Sequence, residues 1–206
     1  MRIKPFTLTG GFVQLEPIAR DHAPALAAAG SADRSSYGYT AVPHDVASAQ
    51  AYIDGLLDDA QRDLVVPFAQ RRRADHSVVG STRYMNIVWW PDRRTPVEVE
   101  IGGTWLSAAA QRSPVNTDAK LLLLTHAFDV WNVNRVAICT DARNTRSRLA
   151  IERLGANFEG VLRNHRASMG HTTEPGKPRD TATYSIIPSE WPGIRERLIR
   201  RRPADA

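Results

Sequence analysis

The chain has 206 residues, 42% hydrophobic and 24% charged, and its 27 Lys and Arg exceed its 22 Asp and Glu for a formal net charge of +5. Those proportions suit one globular domain of ordinary size with a substantial core. No apolar run approaches the roughly 18 residues of a membrane span. The opening Met1-Arg2-Ile3-Lys4-Pro5-Phe6 lacks a secretory apolar stretch, and the lone Cys139 excludes an internal disulfide framework, which fits a reducing cytoplasm.

Residues 12–17 alternate as a strand and stop at Pro17. Asp21 is placed to cap a short alanine-rich helix that ends at Gly30. Residues 31–44 are polar, with glycine and proline, and read as loop or irregular helix. The spacing of Ala49, Tyr52, Ile53, Leu56 and Leu57 predicts a helix over 48–63. Strands over 64–70 and 77–87 follow, joined by the basic turn Arg71-Arg72-Arg73-Ala74-Asp75. In the loop Trp89-Trp90-Pro91-Asp92-Arg93-Arg94 the tryptophans read as an edge packed on the core, with a substrate lid as the alternative. A strand over 97–106 precedes a leucine-rich helix over 117–131, with Leu121, Leu124, Phe128 and Trp131 on one face. Then come a strand over 136–140, a helix opened by Asn144, and strands over 160–167 and 181–187 linked by the loop 170–178. A terminal helix over 191–201 carries Arg195, Arg197, Arg200, Arg201 and Arg202, read as a solvated face and basic tail running to 206. There is no internal repeat. The sum is a single domain of the α/β (α+β) class, a mixed sheet flanked by helices.

Residues 97–155 carry the chemistry. Val97, Val99 and Ile101 alternate with Glu98 and Glu100, so both carboxylates leave the opposite face of the strand. Gly102-Gly103 predicts a bulge or a close backbone approach. A bulge would draw this strand from its neighbour and leave an unpaired edge that an extended, amide-containing ligand can join. The loop Gln111-Arg112-Ser113-Pro114-Val115-Asn116 leads into a helix start, whose free amides and dipole suit a pyrophosphate. Asn116 is placed to cap that helix from Thr117, leaving the amides of Val115, Asn116, Thr117 and Asp118 available. Arg112 adds a cation, Pro114 lacks an N–H, and Asp118 brings an unhelpful negative charge. Asn144-Thr145-Arg146-Ser147 opens the next helix with residue types that favour capping.

This order of elements and motifs resembles the GCN5-related N-acetyltransferase superfamily, and within it the branch that includes the ribosomal-protein N-terminal acetyltransferases. The likeness covers most of the chain, to about Ile187, and is tightest from Glu98 to Gly155. It implies a mostly antiparallel central sheet of about seven strands with a V-shaped splay between the central ones, acetyl-CoA as cosubstrate, and no metal. The family loop is Gln/Arg-x-x-Gly-x-Gly/Ala. Gln111 matches its first position, while Pro114 and Asn116 fill the small-residue positions, which implies retained but weakened coenzyme A binding.

The run from Asn144 to Ser147, followed by Leu154-Gly155, resembles the family's Asn-x-x-Ser/Ala element. By that resemblance Asn144 bonds the pantetheine arm, Ser147 lies near the thioester sulfur and Arg148 reaches the adenosine phosphates. Many members place a general-acid tyrosine seven residues beyond the asparagine; Ile151 stands there, leaving Ser147 as a weak donor. Direct transfer to an amine needs a proton acceptor, for which Glu100 is the choice, an ordinary strand charge or ion pair being its alternative. The backbone N–H groups of Thr104, Trp105 and Leu106 are the expected oxyanion donors. Cys139 lies in an apolar strand pattern and reads as core.

The six histidines, His22, His44, His76, His126, His165 and His171, show no metal-ligand spacing. His165 with Arg163 and Arg166 lies on the presumed acceptor side, where recognition of a carboxylate and a plain solvated face are both open. The expected acceptor is a primary amine, on a protein N-terminus or a small molecule. An α-amine, with a pKa of about 8, is neutral far more often than a lysine at about 10.4. No membrane partner is expected, nucleic acid is disfavoured, and a homodimer is an open option. The alternatives are a coenzyme A-binding sensor or scaffold without catalysis, and a ribosome- or RNA-associated protein using the basic tail.

Overall fold

The computed structural model describes residues 3–92, 94–170 and 176–202. Eight strands form one sheet in the order β1-β2-β3-β4-β5-β6-β8-β7, every neighbouring pair antiparallel except the parallel β5–β6. They are β1 (Leu8–Thr9), β2 (Val13–Pro17), β3 (Val65–Arg72), β4 (Val78–Val88), β5 (Glu98–Leu106), β6 (Arg135–Asp141), β7 (Asn157–Ala167) and β8 (Pro178–Ile186). The strand beyond the expected seven or so is the two-residue β1. The helices are α1 (Ala23–Ser31), α2 (Val46–Gln61), α3 (Pro114–Thr125), α4 (Thr145–Leu154) and α5 (Trp191–Arg201).

Period-2 alternation divides the strands between two cores. Val66, Phe68, Val99 and Ile101 join a cluster with Leu123 and Leu124 of α3, Ile151 of α4, and Ile194 and Leu198 of α5. Val65, Ala69, Val78 and Trp105 face a second cluster with Leu26 of α1 and Ile53 and Leu56 of α2. The helices therefore cover both faces of the N-terminal half of the sheet.

Three local expectations are corrected. Asp21 does not cap α1; it lies inside a 3₁₀ turn, Arg20–His22, which leads into that helix. The second helix runs over Val46–Gln61 rather than 48–63, capped by Asp45, whose side chain accepts from the Ser48 N–H at 2.7 Å. The leucine-rich helix begins at Pro114 rather than at 117 and ends in a π-helical turn, His126–Val130. The adjacent tryptophans follow β4 at its paired end with β5, Trp90 half exposed, and neither lies at the opposite end of β5 where α3 begins. His171, Arg93, residues 171–175 of the β7–β8 connection and residues 203–206 of the basic tail lie outside the described residues.

Candidate active site

β5 and β6 share only three registered pairs, Glu98↔Arg135, Val99↔Val136 and Glu100↔Ala137, although both strands run on. Past that apex they separate. The cause is local: the β4–β5 register slips by one residue between Ser81 and Arg83, opposite Gly102 and Trp105. Gly103 takes up the extra residue with φ +57°, and a Cβ there would come within 2.5 Å of the Arg83 guanidinium. Glycine takes that φ without strain, and any side chain there would have to displace the Arg83 guanidinium. The expected bulge and splay are both present.

The open edge of β5 is tied at its far end and floored by an unusual cation. The Leu106 carbonyl accepts from Tyr37 Oη (2.9 Å) and Gln111 Nε2 (2.9 Å). The Trp105 carbonyl accepts from Gln70 Nε2 (3.2 Å), and the indole itself is buried. The Thr104 hydroxyl pairs with Thr82 (2.8 Å) and accepts from Lys120 Nζ (2.8 Å). Lys120 is buried within α3, and that burial pushes its ammonium down to about 7. Sequence reading missed it because a helical Lys is ordinarily a solvated one.

At the start of α3, Ser113 is the cap: its hydroxyl accepts from the Val115 N–H at 3.4 Å. Pro114 is the first helical residue, where a missing N–H costs least and its fixed φ suits the helix. The Val115 N–H being taken by the cap, the free helical amide at this start is that of Asn116; Thr117 and Asp118 fall where the N–H bonds back along the helix. Asn116 is not a cap, and its Oδ1 is buried without a partner. Asp118 is no threat to an anion. Fully buried, it turns to the β1–β2 connection, accepting from the N–H groups of Phe12 (2.8 Å) and Val13 (3.1 Å) and pairing with Arg202 Nε (3.2 Å). Arg112 is exposed with φ +58° beside the helix start.

Asn144 caps α4 as expected, its Oδ1 accepting from the Ser147 N–H at 3.1 Å. The cation that reaches α3 is Arg146: it donates to Gln111 Oε1 at 2.5 Å, joining the two helix starts across the splay. Gln111 also bonds Ser36 Oγ at 2.8 Å, so it braces the loop. Arg148, expected near the adenosine phosphates, instead donates to Tyr184 Oη (3.1 Å) and lies over the Phe158 ring. About half a turn of helix decides this, since positions two apart point to different faces. Ile151 is buried in the core, so no polar group replaces the family tyrosine there.

Glu100 sits at the apex, but not as a free carboxylate. It is 4% exposed and accepts from Nη1 and Nη2 of Arg166 (2.9 and 2.6 Å) and from Asn86 Nδ2 (2.7 Å). Burial raises its carboxyl, yet Arg166 and Asn86 outweigh burial and hold it below the usual carboxylate range. The ion-pair alternative describes its state in the free protein. The neighbouring Cys139 thiol, pushed up to about 11 by burial and by the Glu100 charge, is protonated at neutral pH and no nucleophile. Among the described residues no group of His, Cys, Asp and Glu could hold a metal ion.

A family model for an acetyltransferase (GNAT) domain matches residues 13–157. A Bacillus subtilis (strain 168) protein named "Putative ribosomal N-acetyltransferase YdaF" is 33% identical over 91 residues, 44% of this chain and 46% of that protein. The match thus spans about half the length of that curated relative. A solved T. thermophilus structure described as a "putative acetyltransferase" is 34% identical with TM-score 0.79, over 98% of this chain and 99% of that one. A GCN5-related N-acetyltransferase from Brucella melitensis is 27% identical with TM-score 0.81, over 97% and 86% of the two chains.

Proposed function

Because the chain belongs to the GNAT acetyltransferase domain family, we propose that it is an acetyl-CoA-dependent N-acetyltransferase acting directly on a neutral primary amine. The observation that carries this reading is the splay past Glu100, onto whose open end the starts of α3 and α4 both face, linked by Arg146 and Gln111. Acetyl-CoA supplies a thioester-activated acetyl group. The residues suit it: the Asn116 amide, the α3 dipole, Arg112 and Arg146 favour phosphates. Asn144 and the cleft edge of β5 at Thr104 and Leu106 offer partners to an amide-bearing arm and donors to a carbonyl oxygen, whereas the Trp105 N–H lies on the β4 side with that of Ser107. Ser147, one turn into α4, is placed to donate a hydrogen bond to a departing sulfur.

A carboxylate as strongly paired as Glu100 is a weak base, so it takes the amine's proton late and through water. The amine must then arrive neutral, which favours an α-amine over a lysine side chain. The naming of the Bacillus subtilis relative as a ribosomal N-acetyltransferase supports a protein N-terminus as acceptor. A cytoplasmic location fits that acceptor. The second reading is a coenzyme A-binding protein without turnover, favoured by the Glu100–Arg166 pair and by the burial of Ile151.

Calorimetric titration with acetyl-CoA and with free coenzyme A tests both, followed by thiol release in the presence of peptide and small-molecule amines. One saturable site is expected for each ligand. Glu100→Gln is expected to lower kcat about a hundredfold, with acetyl-CoA affinity nearly unchanged. Tight binding with no turnover on any amine would favour the second reading; no binding at millimolar ligand would overturn both.

A further inference from the structure

Four charged side chains from four strands converge where β5 and β6 part: Glu100, Asp141, Arg166 and Arg179. Three of them are satisfied. Glu100 holds Arg166, and Asp141 is held by Arg143 through two nitrogens at 2.9 and 2.8 Å. Arg179 is different. It stands opposite Arg166 in the β7–β8 register, so the two guanidinium groups share one face of the sheet. Its Nε is buried without a hydrogen-bond partner. Two residues along the same face, the Thr181 hydroxyl is likewise buried without one.

Two orphaned polar atoms on adjacent same-face positions are costly unless something answers them. Glu100 and Asp141 are already taken by Arg166 and Arg143, and a guanidinium can only donate, so the partner that would answer Arg179 is an anion. The site lies beside Glu100, at the apex of the cleft, and among the described residues the face it belongs to has no helix over it: α1 and α2 pack farther along, against β3 and β4. We propose that the acceptor carries a carboxylate close to its reacting amine, and that Arg179 holds it. This inference rests on the acetyl-transfer reading and names its acceptor class. It also supplies what that reading needs, because guanidinium groups beside an amine disfavour its protonated form. The His165 imidazole, at the rim of the cluster, already feels this: burial and Arg166 lower it.

The test uses matched acceptors that differ only in carboxylate against carboxamide, with rates compared at equal concentrations of free amine. One arm uses small amino acids and their amides, the other short peptides with Asp or Asn beside the N-terminal residue; the arm showing the preference identifies the carboxylate's source. Wild type is expected to favour the carboxylate by about tenfold or more in kcat/KM. Arg179→Met should erase that preference by raising KM for the carboxylate acceptor alone, Arg179→Lys should restore part of it, and acetyl-CoA affinity should stay unchanged in both. Equal handling of each pair by wild type, or a preference that survives in Arg179→Met, overturns the inference. If no acceptor turns over, the same pairs are titrated into the protein–coenzyme A complex. Binding there without selectivity for the carboxylate, or no binding, overturns the inference and leaves coenzyme A recognition standing. Absence of acetyl-CoA binding removes the reading beneath it.

Discussion

Lys120 shows how far a residue's role departs from its type. Its ammonium is buried with the Thr104 hydroxyl as its hydrogen-bond partner, and burial depresses it to about 7. An unfolded lysine keeps its proton up to about pH 10.4. Between those values the unfolded chain binds more protons than the folded one, so the lysine's penalty grows as pH falls from about 10 towards 7. Lys120→Met is therefore expected to stabilise the protein, by roughly 1–3 kcal/mol at pH 6 and by progressively less towards pH 10. Denaturant melts at pH 6 and pH 9 check this; a gain that grows with pH would contradict it. The neighbouring motif residues were easier to read. Asn144 caps a helix through a bond that spans only three residues, its Oδ1 accepting from the Ser147 N–H. Arg146 and Arg148 differ in role only through the helix face each occupies.

At the scale of elements, α3 and the β5 bulge make the cleft. Pro114 looked like an obstacle within a phosphate loop; as the first residue of α3 it starts the helix instead. That shift of three residues decides which amides stay free. The bulge depends on Gly103, whose φ of +57° strains other residues and where a side chain would push the Arg83 guanidinium aside. Gly103→Ala is expected to cost about 1–2 kcal/mol and to impair acetyl-CoA binding, because the β5 edge must move. Parallel thermal melts and calorimetric titrations test it. Wild-type binding in a destabilised variant would show that the edge tolerates the move.

Across the whole molecule, the last helix closes the core that backs the cleft. Trp191, Ile194 and Leu198 of α5 are buried against the α3 side of the sheet, and Trp191 stacks on Phe128 at 5.6 Å. Its arginines are largely tied in: Arg195 pairs with Asp129 at 3.3 Å, Arg201 donates to the Arg153 carbonyl, and Arg202 meets Asp118. Leu198→Ala is accordingly expected to cost about 2–5 kcal/mol, read from denaturant unfolding, whereas a detached helical tail would lose almost nothing. Among the described residues no helix is long and apolar enough to cross a membrane.

The sequence by itself determined the order of elements, the bulge at Gly102-Gly103, the Asn144 cap and the last helix, since each follows from periodicity, capping chemistry or glycine's freedom over a few neighbouring residues. It also placed Glu100 on the cleft face. What only the tertiary structure decided is what meets what across long separations. The pairing of Glu100 with Arg166, the turning of Asp118 towards Phe12 and Arg202, the burial of Lys120 and the orphaned Arg179 each join residues from distant strands and helices. A side chain's charge state depends on burial and on partners within a few ångströms, and those are set by packing rather than by neighbours in the chain.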